Sequence, residues 1–216
     1  MFGRLRAVVT KLFTPIAAFL LRVGVSPDAV TVVGTLGVVA SALWLFPTGH
    51  LFAGTMAIMV FAFSDALDGV MARLSGRSGP WGAFLDSTLD RLADAAIFTG
   101  LIVWFVRTEN TWGITVGLAC LVLGSVVPYA RARAEGLGMT AAVGIAERAD
   151  RLVVTLVAAG LVGLGLPVAV LVVVLGLLAV ASAVTVVQRM ATVRRQAVAA
   201  AGGAPSEGAA ASEGGA

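Results

Sequence analysis

Six apolar runs follow one another along this chain, joined by short polar connections, and a bilayer interior leaves few ways to fold such a sequence. Backbone N–H and C=O groups find no water there, so only helices and closed barrels can cross it. Runs near about 20 residues have the length of helical spans, roughly twice that of a barrel strand. The expected fold is all-α: a polytopic membrane bundle of six transmembrane helices, at residues 28–46, 51–74, 83–105, 112–133, 150–165 and 167–190. Composition agrees. Of 216 residues, 59% are hydrophobic and 12% charged, whereas a soluble domain has about a quarter charged.

Local signals punctuate the runs. Ser26-Pro27-Asp28 opens the first span, with Ser or Asp as cap and Pro near the first turn. Pro47-Thr48-Gly49-His50 and Gly165-Leu166-Pro167 read as turns. In residues 1–22, Arg4, Arg6 and Lys11 alternate with Phe2, Leu5, Val8, Leu12 and Phe13, the pattern of an amphipathic helix lying in the interface. A signal peptide fits less well, because no small-residue cleavage site follows and Pro15 and Arg22 cut the apolar run. Residues 23–195 form one six-span domain, and 196–216, rich in Ala, Gly, Ser and Glu, read as a disordered tail. Gly34 with Gly37, and Gly160 with Gly163, would let helices approach closely. Trp44, Trp81, Trp104 and Trp112 lie near predicted interfaces as anchors. The single Cys120 sits in an apolar run, excludes an internal disulfide and reads as a small buried hydrophobe.

Charge gives an orientation. Of fifteen Lys and Arg, only Arg107 falls in a connection after an odd-numbered span. Positive-inside bias then puts both termini on the cytoplasmic side of a multi-pass protein of the cell membrane. The net charge of +3 resides at span ends, where it meets anionic membrane lipid, and does not point to nucleic acid.

Against this background the stretch Ser64 to Asp94 stands out. It holds five of the twelve acidic residues: Asp65, Asp68, Asp86, Asp90 and Asp94. A carboxylate in a membrane helix costs about 2.5 kcal/mol or more, so several together call for a compensating cation. Asp65 and Asp68 are three apart and Asp86 and Asp90 four apart, so each pair shares a helix face. Two such helices build an all-oxygen pocket suited to hard ions such as Mg²⁺ or Mn²⁺. Zinc does not fit, since Cys120 and His50 are far off in sequence. Between the pairs, Ser75 to Gly82 is rich in glycine, with Arg73 just before it and Arg77 within it. Glycine lets backbone approach a ligand, and arginine suits phosphate oxygens. The plainer alternative is a solvated loop whose acids only cap helices.

Asp65, Asp68, Gly69, Ala72, Arg73, Gly82, Asp86 and Asp90 stand at the spacing Asp-x2-Asp-Gly-x2-Ala-Arg-x8-Gly-x3-Asp-x3-Asp. This resembles the signature of the CDP-alcohol phosphotransferases, membrane enzymes of phospholipid synthesis. The resemblance implies attack by an alcohol on the β-phosphoryl of a CDP-linked lipid, with CMP leaving. By that likeness Asp65, Asp68, Asp86 and Asp90 hold two Mg²⁺ or Mn²⁺ ions. Asp90 is the general base, with metal binding alone as its lesser role. CDP-diacylglycerol is met by Asp28, Ala29, Val30 and Thr31 at the start of the first span, by Gly69 and Arg73, and by Ser78 and Gly79 in the break. Asp28 as a mere N-cap and Arg73 as a lipid contact are the competing readings. Asp94 lies outside the pattern and is expected to pair with Arg91 or another arginine.

The acceptor is read from arginines. The segment PYARARAEGLG with ERADR is similar to that of actinobacterial phosphatidylinositol phosphate synthases, whose acceptor is inositol phosphate. The likeness implies that Arg131, Arg133, Arg151 and one C-terminal arginine, Arg189, grip the acceptor phosphate. It also implies a homodimer. Glycerol 3-phosphate, as used by phosphatidylglycerophosphate synthases, is the runner-up, since both acceptors are anionic. A prenyltransferase would carry its Asp-rich motifs in separate halves of a longer chain, and an ion transporter with intramembrane carboxylates is the non-enzyme alternative.

Overall fold

The structure is a computed structural model that describes residues 13–76, 79–145 and 147–202, with Asp65, Ala66 and Gly202 as backbone only. Seven helices account for most of these residues and no strand occurs among them. They are α1 (Phe13–Arg22), α2 (Pro27–Leu45), α3 (Leu51–Leu74), α4 (Pro80–Arg107), α5 (Thr111–Glu135), α6 (Arg148–Gly163) and α7 (Val168–Gly202).

Helix ends follow the local chemistry. The Ser26 hydroxyl accepts from the Ala29 N–H at 3.2 Å, with Pro27 at the start of α2, so serine and not Asp28 is the cap. The α2–α3 turn closes through Gly49 at φ +85°, with the His50 N–H donating to Leu45 O at 2.9 Å. Asn110 caps α5 by accepting from the Gly113 N–H at 2.8 Å. The helix α3 ends at Leu74 as its sequence implies, while α4 starts three residues before the expected span, at Pro80. A second departure is α7, which continues to Gly202 through residues assigned by composition to the tail. Ala197 to Ala201 has high helix propensity, which outweighs the polar composition that follows. Residues 203–216, and residues 1–12 of the expected interfacial helix, lie outside the described residues.

The helices α2 to α7 close a ring: α2 packs on α3 and α4, α3 on α6, α6 on α7, α7 on α5, and α5 on α4. Its core holds Phe46, Ile58, Phe98, Leu101, Leu156 and Leu175. The small-residue pairs act as expected. A Cβ on Gly34 would fall 1.7 Å from Ser64 Oγ, and one on Gly163 would fall 2.3 Å from the Phe52 nitrogen. Trp44 and Trp112 are exposed, but Trp104 is buried against Phe105, a core residue and not an interface anchor. Cys120 is fully buried, its thiol 3.2 Å from the Leu175 carbonyl.

Four helices, α2, α3, α5 and α7, are long and apolar enough to cross a membrane, and their outward faces carry exposed Val33, Val60, Val122 and Val173. The other two members of the ring differ for a reason. The helix α4 is long enough, at 28 residues, but Asp86, Asp90, Arg91 and Asp94 interrupt its apolar run. The helix α6 has 16 residues, a rise of about 24 Å against a hydrocarbon core of about 30 Å. Beside the ring, α1 packs through Ala17 on Val70 and Met71 of α3, bracing the turn that carries Asp68 and Gly69.

Candidate active site

Three helix ends meet at the acidic stretch. The first turns of α2, the last turns of α3 and the start of α4 enclose a cleft of about 320 Å³, lined by Asp28 and Thr31, by Asp68, Gly69 and Arg73, and by Gly79, Gly82 and Asp86. Two bonds hold the walls together. The Thr31 hydroxyl donates to Asp68 Oδ2, fixing that buried carboxylate. The Trp81 indole N–H donates to Asp28 Oδ2 at 3.0 Å, tying the first turn of α4 to α2. Asp28 is thus neither cap nor free, and Trp81 is a strut across the cleft.

The glycines of the cleft differ from those of the ring. A Cβ on Gly69 would meet only Arg73 Nη1, at 3.7 Å, and on Gly79 or Gly82 it would meet nothing within 4 Å. None of the three has a positive φ. The protein's own packing does not require glycine there, so what their missing side chains keep clear is the cleft itself. Of the residues expected around a nucleotide, Asp28, Thr31, Gly69, Arg73 and Gly79 face this cleft together. Ala29 is exposed and Val30 packs against the α1–α3 contact instead. Ser78 lies outside the described residues.

The expected metal set divides. Asp68 and Asp86 share the cleft, while Asp90, one turn beyond Asp86, borders an adjoining apolar groove of about 270 Å³ with Val38, Ile58, Phe63 and Leu156. Among the described residues no three His, Cys, Asp or Glu side chains converge on one point; the side chain of Asp65 is not among those described. The donors that do line the cleft are hard carboxylate oxygens beside clear glycine backbone, a set that fits Mg²⁺ or Mn²⁺. The soft alternatives are remote: His50 sits in the α2–α3 turn, 3.0 Å from Thr48 Oγ1, and Cys120 is buried in the ring.

Beyond Asp90 the charges change sign. Arg148 Nη2 lies 2.9 Å from Asp90 Oδ1 and 3.0 Å from Asp94 Oδ1, and its Nε donates to the same Asp94 oxygen at 3.0 Å. Asp94 Oδ2 accepts from Arg151 Nη2 at 3.2 Å. Asp94 therefore pairs with two arginines, neither of them Arg91, whose Nη2 is 3.8 Å from Asp90 Oδ2. Pro128 explains part of the arrangement. Lacking an N–H, it leaves the carbonyl four residues back without its helical donor, and that carbonyl, Gly124 O, is met by Arg151 Nη2 at 3.5 Å.

These side chains line a cavity of about 380 Å³ bordered by Arg91, Arg131, Arg148, Arg151 and Arg189. Arg151 and Arg189 are 1% and 8% exposed. Arg189 is held by donating to the Val143 and Val127 carbonyls, and Arg131 by Glu135 at 2.8 Å. Three of the four arginines expected to meet an anion are thus together. Arg133 is exposed and does not border the cavity. Arg91 and Arg148 join it unexpectedly. The usable signal was spacing: Arg148 and Arg151 are three apart, Asp90 and Asp94 four apart, so two helices present complementary pairs.

Comparison with known proteins places this geometry. The profile of the CDP-alcohol phosphatidyltransferase family matches residues 24–144. The chain is 51% identical over 187 residues to the phosphatidylinositol phosphate synthase of Streptomyces avermitilis, covering 83% of this chain and 77% of that one. It is also 51% identical over 166 residues to that of Cutibacterium acnes, covering 76% and 80%. The crystal structure of Mycobacterium tuberculosis phosphatidylinositol phosphate synthase with CDP-DAG bound superposes with a TM-score of 0.81 at 44% identity, over 85% of this chain and 94% of that one. The same enzyme in complex with manganese and citrate gives a TM-score of 0.79 at 44% identity, over 84% and 88%.

Proposed function

This chain belongs to the CDP-alcohol phosphatidyltransferase family, and from that premise we propose that it transfers the phosphatidyl group of CDP-diacylglycerol to a hydroxyl of inositol phosphate, releasing CMP. The observation that carries the reading is the pair of cavities on either side of the α4 acids: a glycine-walled carboxylate cleft on one, a basic cavity on the other. The cleft suits a nucleotide diphosphate lying against Gly69 and Gly79, with Arg73 on its oxygens. The apolar groove beside Asp90 leads toward lipid and suits an acyl chain. The basic cavity suits an acceptor that carries its own phosphate. Two buried arginines held on fixed carbonyls are preorganised for an anion and lose little freedom on binding it.

In the transfer, the acceptor oxygen attacks the β-phosphorus, the bond from that phosphorus to the CMP oxygen breaks, and the hydroxyl proton passes to Asp90. Asp90 suits this role because it stands one turn from Asp86 of the cleft and 2.9 Å from Arg148, which borders the basic cavity. Asp65, Asp68, Asp86 and Asp90 would hold the divalent ions, two Mg²⁺ or Mn²⁺. When bound, such ions neutralise diphosphate charge that the carboxylates alone would repel. The alternative of an ion transporter falls with membership of a transferase family.

The same reading extends to the membrane. The helices α4 and α6 close a ring with four bilayer-length helices, which supports six spans, the acids of α4 and the short α6 facing the cytoplasmic side. The charge bias supports cytoplasmic termini and active site at the cell membrane, with residues 1–22 as an interfacial helix, 23–195 as the catalytic domain and 196–216 as a cytoplasmic tail. The family supports a homodimer. The test is a product assay in vesicles with CDP-diacylglycerol and a panel of acceptors: inositol phosphate, glycerol 3-phosphate, inositol and serine. Phosphatidylinositol phosphate as the main product is expected. A main product from glycerol 3-phosphate or from an uncharged acceptor would overturn the assignment.

A further inference from the structure

Arg148 borders both the apolar groove that Asp90 faces and the basic cavity. Its hold on the two acids is unequal. Two of its nitrogens, Nε and Nη2, meet Asp94 Oδ1 at 3.0 Å each, while Nη2 also stands 2.9 Å from Asp90 Oδ1. Asp94 is itself buried and fixed by Arg151, which is 1% exposed. The Arg148 side chain is 30% exposed, so it can move while its neighbour cannot. This is a guanidinium held at two nitrogens by one carboxylate, with one of those nitrogens shared with a second.

We propose that Arg148 is a positioning residue that couples the acceptor phosphate to the base: the phosphate, entering the basic cavity, takes the Nη2 corner of Arg148 from Asp90, while Asp94 keeps its grip on the rest. The inference rests on the reading of Asp90 as the base. An Asp90 oxygen occupied by a guanidinium is poorly placed to take a proton from an adventitious water. The same oxygen, released when an anionic acceptor arrives, faces the acceptor's hydroxyl. The device would protect CDP-diacylglycerol from hydrolysis, in which a water oxygen bonds to the β-phosphorus, the bond to CMP breaks, the water proton goes to Asp90, and phosphatidic acid and CMP are formed. It also explains a preference for acceptors that carry phosphate, beyond their affinity.

The experiment uses the full chain in vesicles with CDP-diacylglycerol and Mg²⁺, and follows CMP and phosphatidic acid. With inositol phosphate, the wild type makes the transfer product; without transfer, the proposed function and this inference both fail. Without acceptor, phosphatidic acid forms slowly, and inorganic phosphate raises its rate by about fivefold, the weight of one partly exposed ion pair. Arg148→Gln shows the raised rate without phosphate and no response to it, and Arg148→Lys regains part of the control. A merely structural arginine would alter transfer and hydrolysis in proportion. Normal transfer by the wild type with hydrolysis indifferent to phosphate overturns the coupling, a result independent of whether the variants fold.

Discussion

Gly69 offers a substitution whose effects on stability and activity have opposite signs. It lies in the interior of α3, where glycine is less favourable than alanine by roughly 0.5–1 kcal/mol. A Cβ there meets only Arg73 Nη1 at 3.7 Å, ordinary contact with the end of a flexible side chain. Gly69→Ala therefore costs no packing and gains helix propensity, a rise in Tm of about 2 °C for a chain of this size. The added methyl projects into the cleft, where it displaces a diphosphate from the backbone by roughly 1 Å, a misplacement that costs about 100-fold in rate. The control is Gly34→Ala, whose Cβ would fall 1.7 Å from Ser64 Oγ and 2.6 Å from Ser64 Cβ, an overpacking that costs about 1–3 kcal/mol. Thermal melting in detergent, CDP-diacylglycerol binding by calorimetry, and CMP release measure the two variants side by side. The expected pattern is a stable, inactive Gly69→Ala and a destabilised Gly34→Ala with residual activity in proportion to its folded fraction. Full turnover by Gly69→Ala, or a fall in its Tm that parallels the lost activity, would refute the claim that a ligand sets the glycine.

Asp90→Asn should lower turnover by at least about 100-fold, within the range of a lost general base, while CDP-diacylglycerol still binds; retained turnover rules out the base. Arg189→Ala should raise the KM for inositol phosphate about tenfold or more, consistent with losing a charge-assisted contact, while Arg133→Ala changes it by less than about threefold; steady-state kinetics with either substrate varied distinguishes them, and equal effects would show that the cavity borders do not define the acceptor site. Trp81→Phe removes the N–H bonded to Asp28 and should raise the KM for CDP-diacylglycerol about fivefold, the weight of one hydrogen bond, with kcat little changed. Chelation by EDTA should abolish CMP release and Mg²⁺ or Mn²⁺ restore it; turnover that survives chelation would remove the divalent ion from the reaction.

Much of the ring is legible in the sequence because glycine, proline and capping residues bound its helices: Gly49 and His50 set the α2–α3 turn, and Pro80 starts α4. The neighbours of each helix are not legible. In a bilayer the outward face is as apolar as the inward one, so periodicity does not mark the core, and only close-approach glycines such as Gly34 and Gly163 name a contact. Trp104 shows the limit, since an aromatic near a span end reads as an anchor and here fills the core. The same limit holds for the arginines. Arg133 and Arg148 look alike in a basic loop, and what separates them is that Arg148 opens α6 with Arg151 on one face, opposite two acids of α4.

The helical repeat of α4 explains why one helix serves two cavities. Asp86, Asp90 and Asp94 are spaced four apart, and each step of four turns the side chain by about 40° and climbs about 6 Å. The three acids thus trace a slow spiral of about 80° over about 12 Å. Asp86 faces the glycine-walled cleft with Asp68, Asp94 is fixed by Arg148 and Arg151, and Asp90 lies between, reached by Arg148 from one side. A step of three would turn the acids the other way, by about −60° each, and carry the later carboxylates away from α6. The four-residue step is what allows one end of the stripe to sit in the carboxylate cleft while the other pairs with the half-buried Arg148 and the buried Arg151. The middle carboxylate, Asp90, stands one turn from the acid that lines the cleft and 2.9 Å from an arginine that lines the basic cavity.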